Sequence, residues 1–168
     1  MQNNLSYPPL ANNHISVDCV VIGFDGEQLK LLLVNRHGVE DGKAYHDMKL
    51  PGSLIYQDED LDQAAKRVLM ELTGLKSVNL MQFKAFGSKD RTRDPRDVHW
   101  LERAQKAHVE RIVTIAYLAL VKIDKALDKS LDEHQSTWVS LPDVPDLAFD
   151  HNLIAVSYTH LTLPTTSR

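Results

Sequence analysis

Leu50-Pro51-Gly52-Ser53-Leu54-Ile55-Tyr56-Gln57-Asp58-Glu59-Asp60-Leu61, continuing through Arg67-Val68-Leu69-Met70-Glu71-Leu72-Thr73-Gly74-Leu75, decides the reading of this chain. It spells the end of a strand, a glycine turn, a loop and a capped helix. Asp60 stands where an N-cap side chain accepts a backbone amide, and Gln63 completes a capping box. Leu61, Ala64, Ala65, Val68, Leu69 and Leu72 recur at helical spacing and form one apolar stripe. Gly74 is placed to end the helix, because glycine enters the left-handed region without steric cost.

Upstream, Met1 to His14 reads as a loose polar leader. Ser16 to Phe24 is a strand with Val17, Cys19 and Val21 on one face and Val20, Ile22 and Phe24 on the other, the pattern of a central strand buried on both sides. Asp25-Gly26 signals a hairpin, and Leu29 to Arg36 returns as a second strand. His37 to His46 reads as a polar loop. Downstream, Val78 to Gly87 is a strand, and Ser88 to Glu110 is a charged insertion with a short helix over Val98 to Ala107. Arg111 to Ile123 is the longest strand, Asp124 to His134 a charged connection, and Ser136 to Val139 a short strand. Phe149 to Ala155 begins a helix. Strands, one strong helix and more strands imply an α+β sandwich with a mixed sheet.

Of the 168 residues, 43% are hydrophobic and 25% charged, and the net charge is -4. These are the proportions of one ordinary globular domain, with no overall electrostatic footprint for nucleic acid. No apolar stretch is long enough to span a membrane. The single cysteine, Cys19, lies in an apolar run and reads as an inert buried thiol; its solitude excludes an internal disulfide and suits a reducing cytoplasm. Eight histidines occur without metal-site spacing.

The central stretch resembles the signature of the Nudix superfamily, G-x5-E-x7-R-E-U-x-E-E-x-G-U with U a bulky aliphatic. Glu59, Arg67, Leu69, Glu71, Gly74 and Leu75 fit. Ser53 stands where the glycine belongs, and Val68 and Leu72 replace two glutamates. The resemblance extends to Leu31 through Arg36, to Ala85-Phe86-Gly87 with Asp90 through Arg96, to Trp138 through Leu141 and to Ala148 through His151. It implies a Nudix fold over 16–155, behind a flexible leader at 1–15. The pattern is most similar to the sensor domains of Nudix-related transcriptional regulators of NAD or sugar metabolism, in which a winged-helix DNA-binding domain follows the sensor. Residues 156–168 resemble the translated end of a sequencing-library adapter, so a non-native tail in place of that second domain is expected.

In active members the carboxylates at the Val68 and Leu72 positions hold magnesium or manganese over a pyrophosphate. Valine and leucine offer no oxygen to a hard cation, and the loss of metal assistance removes several kcal/mol of transition-state stabilisation. Glu71 beside Arg67 is either a residual metal ligand or a surface ion pair worth about 0.2–0.5 kcal/mol. Glu59 and Arg67 correspond to a structural pair between loop and helix. Arg36, Arg91, Arg93 and Arg96 are candidates to meet a phosphate, since guanidinium forks match phosphate geometry; taken singly, each also reads as part of a solvated loop. Gly52 and Ser53 in the signature turn complete the ligand-contacting set.

Three functions follow. The first is a non-hydrolytic sensor of a small metabolite, ADP-ribose or a sugar derivative, acting on DNA only through a further domain. The second is a hydrolase that recruits Mg2+ or Mn2+ through Glu59, Glu71, Asp58 or Glu110. The third is an interaction module without a small ligand. Pairing with a second copy is compatible with each. Glutamates restored at Val68 and Leu72 are expected to restore metal binding if the scaffold is otherwise competent.

Overall fold

The computed structural model describes residues 9–106 and 108–162, with side chains described as far as residue 157. Seven strands form one mixed sheet, β1 Ala11–Phe24, β2 Leu29–Glu40, β3 Lys43–Lys49, β4 Gly52–Tyr56, β5 Met81–Phe86, β6 Val113–Lys122 and β7 Ser136–Ser140. The helices are α1 Leu61–Thr73, α2 Pro95–Gln105, α3 Lys125–Glu133 and α4 His151–Thr162, with a short 3-10 turn at Leu141–Asp143.

The sheet is built on β1. It pairs in parallel with β6 over ten residues, from Ile15 beside Val113 to Phe24 beside Lys122. Its other edge is shared: β2 pairs near the end, at Ile22 to Phe24, and β4 near the start, from Ala11 to Asp18. The sheet order is β3-β2-β1-β6-β5, with β4 on β1 and β7 on β2.

Strand alternation then sorts the core. Val17, Cys19 and Val21 join Ala64, Ala65, Val68 and Leu69 of α1 and Leu131 of α3 in one buried cluster. Val20 and Ile22 join Leu31, Leu33 and Ile154 of α4 in a second cluster on the opposite face. A third, smaller cluster gathers Leu54, Leu101, Val109 and Ile112 under α2. Helices therefore cover both faces of the sheet, as the sandwich reading expects.

The capped helix forms as the sequence dictates. The Gln63 side-chain oxygen Oε1 accepts from the Asp60 amide at 2.8 Å, and Gly74, at φ 76°, donates its amide to the Met70 carbonyl. Several boundaries differ from the sequence reading. β1 begins at Ala11, inside the leader, and Ala11 pairs with Tyr56. The polar loop at His37 to His46 is a β2–β3 hairpin, closed by Asp41-Gly42 with both residues at positive φ, the two-residue turn that matches strand twist. Its polarity misleads because few of its residues are buried. The charged connection after β6 is helix α3, capped by Asp124, whose carboxylate accepts from the Leu127 amide. The last helix runs through Val156 to Thr162. Residues 1–8 of the leader and 163–168 of the tail lie outside the described residues.

Gly74 also packs closely against Ser130 and His134 of the neighbouring α3 region. Gly74→Ala is expected to lower stability by roughly 1–2 kcal/mol, the ordinary cost of a left-handed L-residue, or more through that close approach. Urea denaturation measures it.

Candidate functional site

The signature loop is fastened by one arginine. Arg67 Nη2 donates to Glu59 Oε1 at 2.6 Å and Nε to Oε2 at 2.9 Å. Nη2 also reaches the Leu54 carbonyl at 3.2 Å, and the guanidinium lies 3.7 Å over the Tyr56 ring. Glu59 in turn accepts the Tyr56 amide at 2.8 Å. Burial pushes the Glu59 carboxyl up, yet the Arg67 and Tyr56 hydrogen bonds outweigh it and hold its pKa below the ordinary value. Glu71 is half-exposed, its carboxylate 3.2 Å from Arg67 Nη1.

The two aliphatic substitutions lie in the core. Val68 is 0% exposed, and Leu72 packs partly buried against the same cluster, which includes Leu127, Leu131 and Trp138. No group of three acidic, histidine or cysteine side chains able to hold a metal ion occurs among the described residues. Glu59 and Glu71 meet Arg67, while Glu110 lies beside His108. The residues at the signature positions do not fit a divalent cation.

Ser53 takes the place of the signature glycine without strain. It sits in β4 opposite Val17 and has no positive φ, and its hydroxyl accepts from Gln105 Nε2 of α2 at 2.7 Å. Gly52 is the position that must remain glycine. It faces Asp18 across the β1–β4 ladder, and an added Cβ would overlap the Asp18 carboxylate and the Val17 carbonyl.

These residues border a slot on the sheet face opposite α1. Ser16 and Asp18 form its floor with Lys49 and Gly52, while Arg91, Trp100, Phe149 and His151 close over it. Its cavity volume is about 30 Å³. The slot is therefore narrow, with room for about one water and well below the size of a small-molecule site.

Its polar groups are buried and mostly paired. Thr114 donates to Asp18 Oδ2 at 2.6 Å, and His151 Nε2 stands 3.2 Å from Oδ1. His151 Nδ1 accepts the Leu50 amide at 2.9 Å, so its ring proton sits on Nε2, facing Asp18. Burial works against the Asp18 charge, but His151, Arg91 and Thr114 prevail and hold its pKa well below the carboxylate range. Arg91 grips Asp150 with Nε and Nη2, at 3.1 and 2.9 Å, and gives Nη1 to the Ile112 carbonyl. Lys49 Nζ donates to the carbonyls of Leu50 and Gly52 at 3.3 and 2.9 Å. Burial lowers its pKa to about 8.

Of the sequence-predicted ligand residues, Gly52, Ser53 and Arg91 meet at this slot. Arg93 is exposed and pairs with Asp90 at 2.7 Å. Arg36 is fully enclosed: it holds Asp47 through two hydrogen bonds and lies 2.8 Å from Asp97 of α2. Its Nη1 has no hydrogen-bond partner among the described residues, and Tyr45, Trp100 and Phe149 surround the guanidinium at 5.3–5.6 Å. Arg96 reaches Asp47 at 3.3 Å. Arg36 and Arg96 thus fasten α2, the roof of the slot. Sequence reasoning missed Asp18, Lys49 and His151. The available signal for Asp18 was a charge inside an otherwise apolar run, between Val17 and Cys19, and for Lys49 no more than its apolar neighbours Met48 and Leu50.

Signature loop, sheet and helices define a Nudix domain, and residues 12–159 match the NUDIX domain family. The chain belongs to that family. It is 32% identical over 142 residues to the ADPR responsive transcriptional repressor NtrR of Acinetobacter baylyi, a match covering 82% of this chain and 50% of the relative. It thus spans about half the length of that curated relative. It also resembles the NUDIX domain of Shewanella oneidensis NrtR complexed with ADP ribose, at 27% identity and a TM-score of 0.63, over 94% of this chain and 95% of that one. The structure of Shewanella oneidensis NrtR complexed with a 27mer DNA is similar at 25% identity and a TM-score of 0.62, over 88% of this chain and 61% of that one. No helix among the described residues is long and apolar enough to cross a membrane.

Two outcomes test this geometry. Val68→Glu would set a carboxylate in a closed apolar cluster, so restoring the glutamates is expected to unfold the domain before it binds metal. The expected loss is about 3 kcal/mol or more, the cost of an uncompensated buried charge, read by thermal melting. Lys49 has a folded pKa of about 8, below the ordinary lysine value of 10.5, so the unfolded chain binds the extra proton between about pH 8 and 10.5. Its burden on stability is full below pH 8 and fades as pH rises through that window. Lys49→Met is therefore expected to melt higher than the parent at pH 7, with the gap narrowing by pH 10.

Proposed function

We propose that this chain is the metabolite-sensing domain of a transcriptional regulator, and that it binds ADP-ribose or a related sugar nucleotide without cleaving it. The carrying observation is that Val68, buried in the core, and Leu72, packed partly buried against it, occupy the two positions where the Nudix resemblance calls for metal-holding carboxylates. The frame that shapes the signature loop is nevertheless complete, from Arg67 and Glu59 to the Gly74 cap. A scaffold kept without its metal ligands suits binding better than hydrolysis. The relatives support the choice of ligand, being an ADPR-responsive repressor and an NrtR NUDIX domain complexed with ADP ribose. Contact with DNA belongs, in this reading, to the rest of such a regulator, of which this chain spans about half the length.

The slot supplies the contacts. Trp100 and Phe149 offer aromatic surface for a base or sugar, and Gly52, Ser53, Lys49 and Arg91 offer polar groups. A nucleotide needs more room than the narrow slot gives. Its entry lifts α2, whose polar ties to the remainder include Asp97 to Arg36 and the Phe149 amide, Arg96 to Asp47, Arg103 to the Val39 carbonyl, Gln105 to Ser53, and His99 to Glu40, beside the apolar contact of Leu101. Trp100, on that roof, reports the movement.

Calorimetry and tryptophan fluorescence of the chain with ADP-ribose test the reading. Saturable binding with a change in Trp100 emission is expected. Incubation with Mg2+ or Mn2+ is expected to release no AMP by chromatography. Robust metal-dependent AMP release would overturn the non-hydrolytic reading, and the absence of any binding would overturn the sensor.

A further inference from the structure

We propose that Lys49 is the anion-binding group of the slot, holding the diphosphate of a nucleotide ligand so that binding requires no divalent metal. The inference rests on the sensor reading above and deepens it. Lys49 ends β3 with only 4% of its surface exposed and lines the slot beside Gly52, Trp100 and His151. The charges around it are already committed. Asp18 is engaged by Thr114 and His151, with Arg91 Nη2 at 3.8 Å. Arg91 is ion-paired with Asp150 and gives Nη1 to the Ile112 carbonyl. Arg36 is enclosed by Asp47 and Asp97. Lys49 differs from all of them. Among the described residues it makes no ion pair, and its two acceptors, the carbonyls of Leu50 and Gly52, are neutral.

An ammonium has three donors, and two are used here. The Trp100 ring centroid lies 5.5 Å from Nζ. A buried ammonium without an acid partner is costly, and a phosphate oxygen brought into the slot offsets that cost with a charge-assisted hydrogen bond. Gly52, which the Asp18 carboxylate keeps free of a side chain, holds its carbonyl on Nζ and so fixes the position of the amine. The same signature turn that would carry metal-bound diphosphate in a hydrolase thus carries a built-in cation in its place.

The proposal also fixes the proton balance. The groups facing Lys49 are Asp18 of β1, Arg36 of β2, Arg91 before α2 and His151 of α4, with Cys19 buried behind Asp18. Asp18 raises the Lys49 pKa, Arg36 lowers it, and burial, the largest influence, brings it to about 8. An arriving diphosphate draws the amine to its charged form. Near pH 8 binding should therefore be accompanied by net proton uptake.

The experiment titrates the parent chain and Lys49→Met with ADP-ribose, adenosine and inorganic pyrophosphate in EDTA, in buffers of different ionisation enthalpy. Circular dichroism confirms that the variant is folded. The parent is expected to bind ADP-ribose without metal and with proton uptake at pH 8. Lys49→Met is expected to bind it about 10- to 100-fold more weakly, the usual worth of a charged hydrogen bond, with the uptake gone and adenosine binding unchanged. Equal affinity in the two proteins, or a parent that binds only when Mg2+ is restored, overturns the role of Lys49 and leaves the sensor reading standing. If the parent fails to bind ADP-ribose, the sensor reading falls. Pyrophosphate then decides for Lys49 separately: binding lost in Lys49→Met sustains the proposal, and no binding to the parent overturns it.

Discussion

The parallel pairing of β1 with β6 is the contact on which the rest of the molecule depends. Ten successive residue pairs hold β1 in the middle of the sheet, where both of its faces must be covered. One face, with Val17, Cys19 and Val21, receives α1 and α3. The other carries Val20 and Ile22 against α4, and between them and Ser16 it carries a charge, Asp18. A buried carboxylate must be paired, and that requirement recruits Thr114 from β6, His151 from α4 and, more distantly, Arg91. The core thus fixes where the helices lie, and one exception to its apolar pattern fixes where the polar site lies.

The signature keeps its frame, while two of its carboxylate positions are aliphatic. Arg67, Glu59, Tyr56 and the Leu54 carbonyl form a closed set of contacts that shapes the loop without any metal. The helix beyond it uses Val68 as core. Once a position is sealed inside an apolar cluster, a charge placed there would lack both water and a partner. Val68 is part of the packing of this domain, since the face that α1 presents to β1 is continuous through Ala64, Ala65, Val68 and Leu69.

Helix α2 shows a different balance. Its own apolar contribution is small, chiefly Leu101 and the partly buried Trp100. What holds it is polar: Asp97 between Arg36 and the Phe149 amide, and Gln105 on Ser53. Phe149 itself has a φ of 55°, an unusual conformation for a bulky residue. An element secured largely by directional contacts can move without opening the main core.

The sequence alone determined the strand-turn-helix of the signature, the burial of Val68, the hairpin at Asp25-Gly26 and the two-sided core strand. These follow from periodicity and local turn chemistry, which operate within about a dozen residues. It fell short where the signal was weak or distant. The β2–β3 hairpin is largely exposed and shows no apolar alternation, although Asp41-Gly42 marks its turn. Helix α3 offers few apolar residues to count. Arg36 reads as a candidate to meet a phosphate, and nothing nearby in sequence shows that Asp97, sixty-one positions on, pairs with it inside the protein. Only the tertiary structure decided that Asp18, Lys49, Arg91 and His151 share one slot. They come from β1, β3, the loop after β5 and α4, and their union depends on strand pairing and helix packing between segments that a one-dimensional pattern cannot bring together.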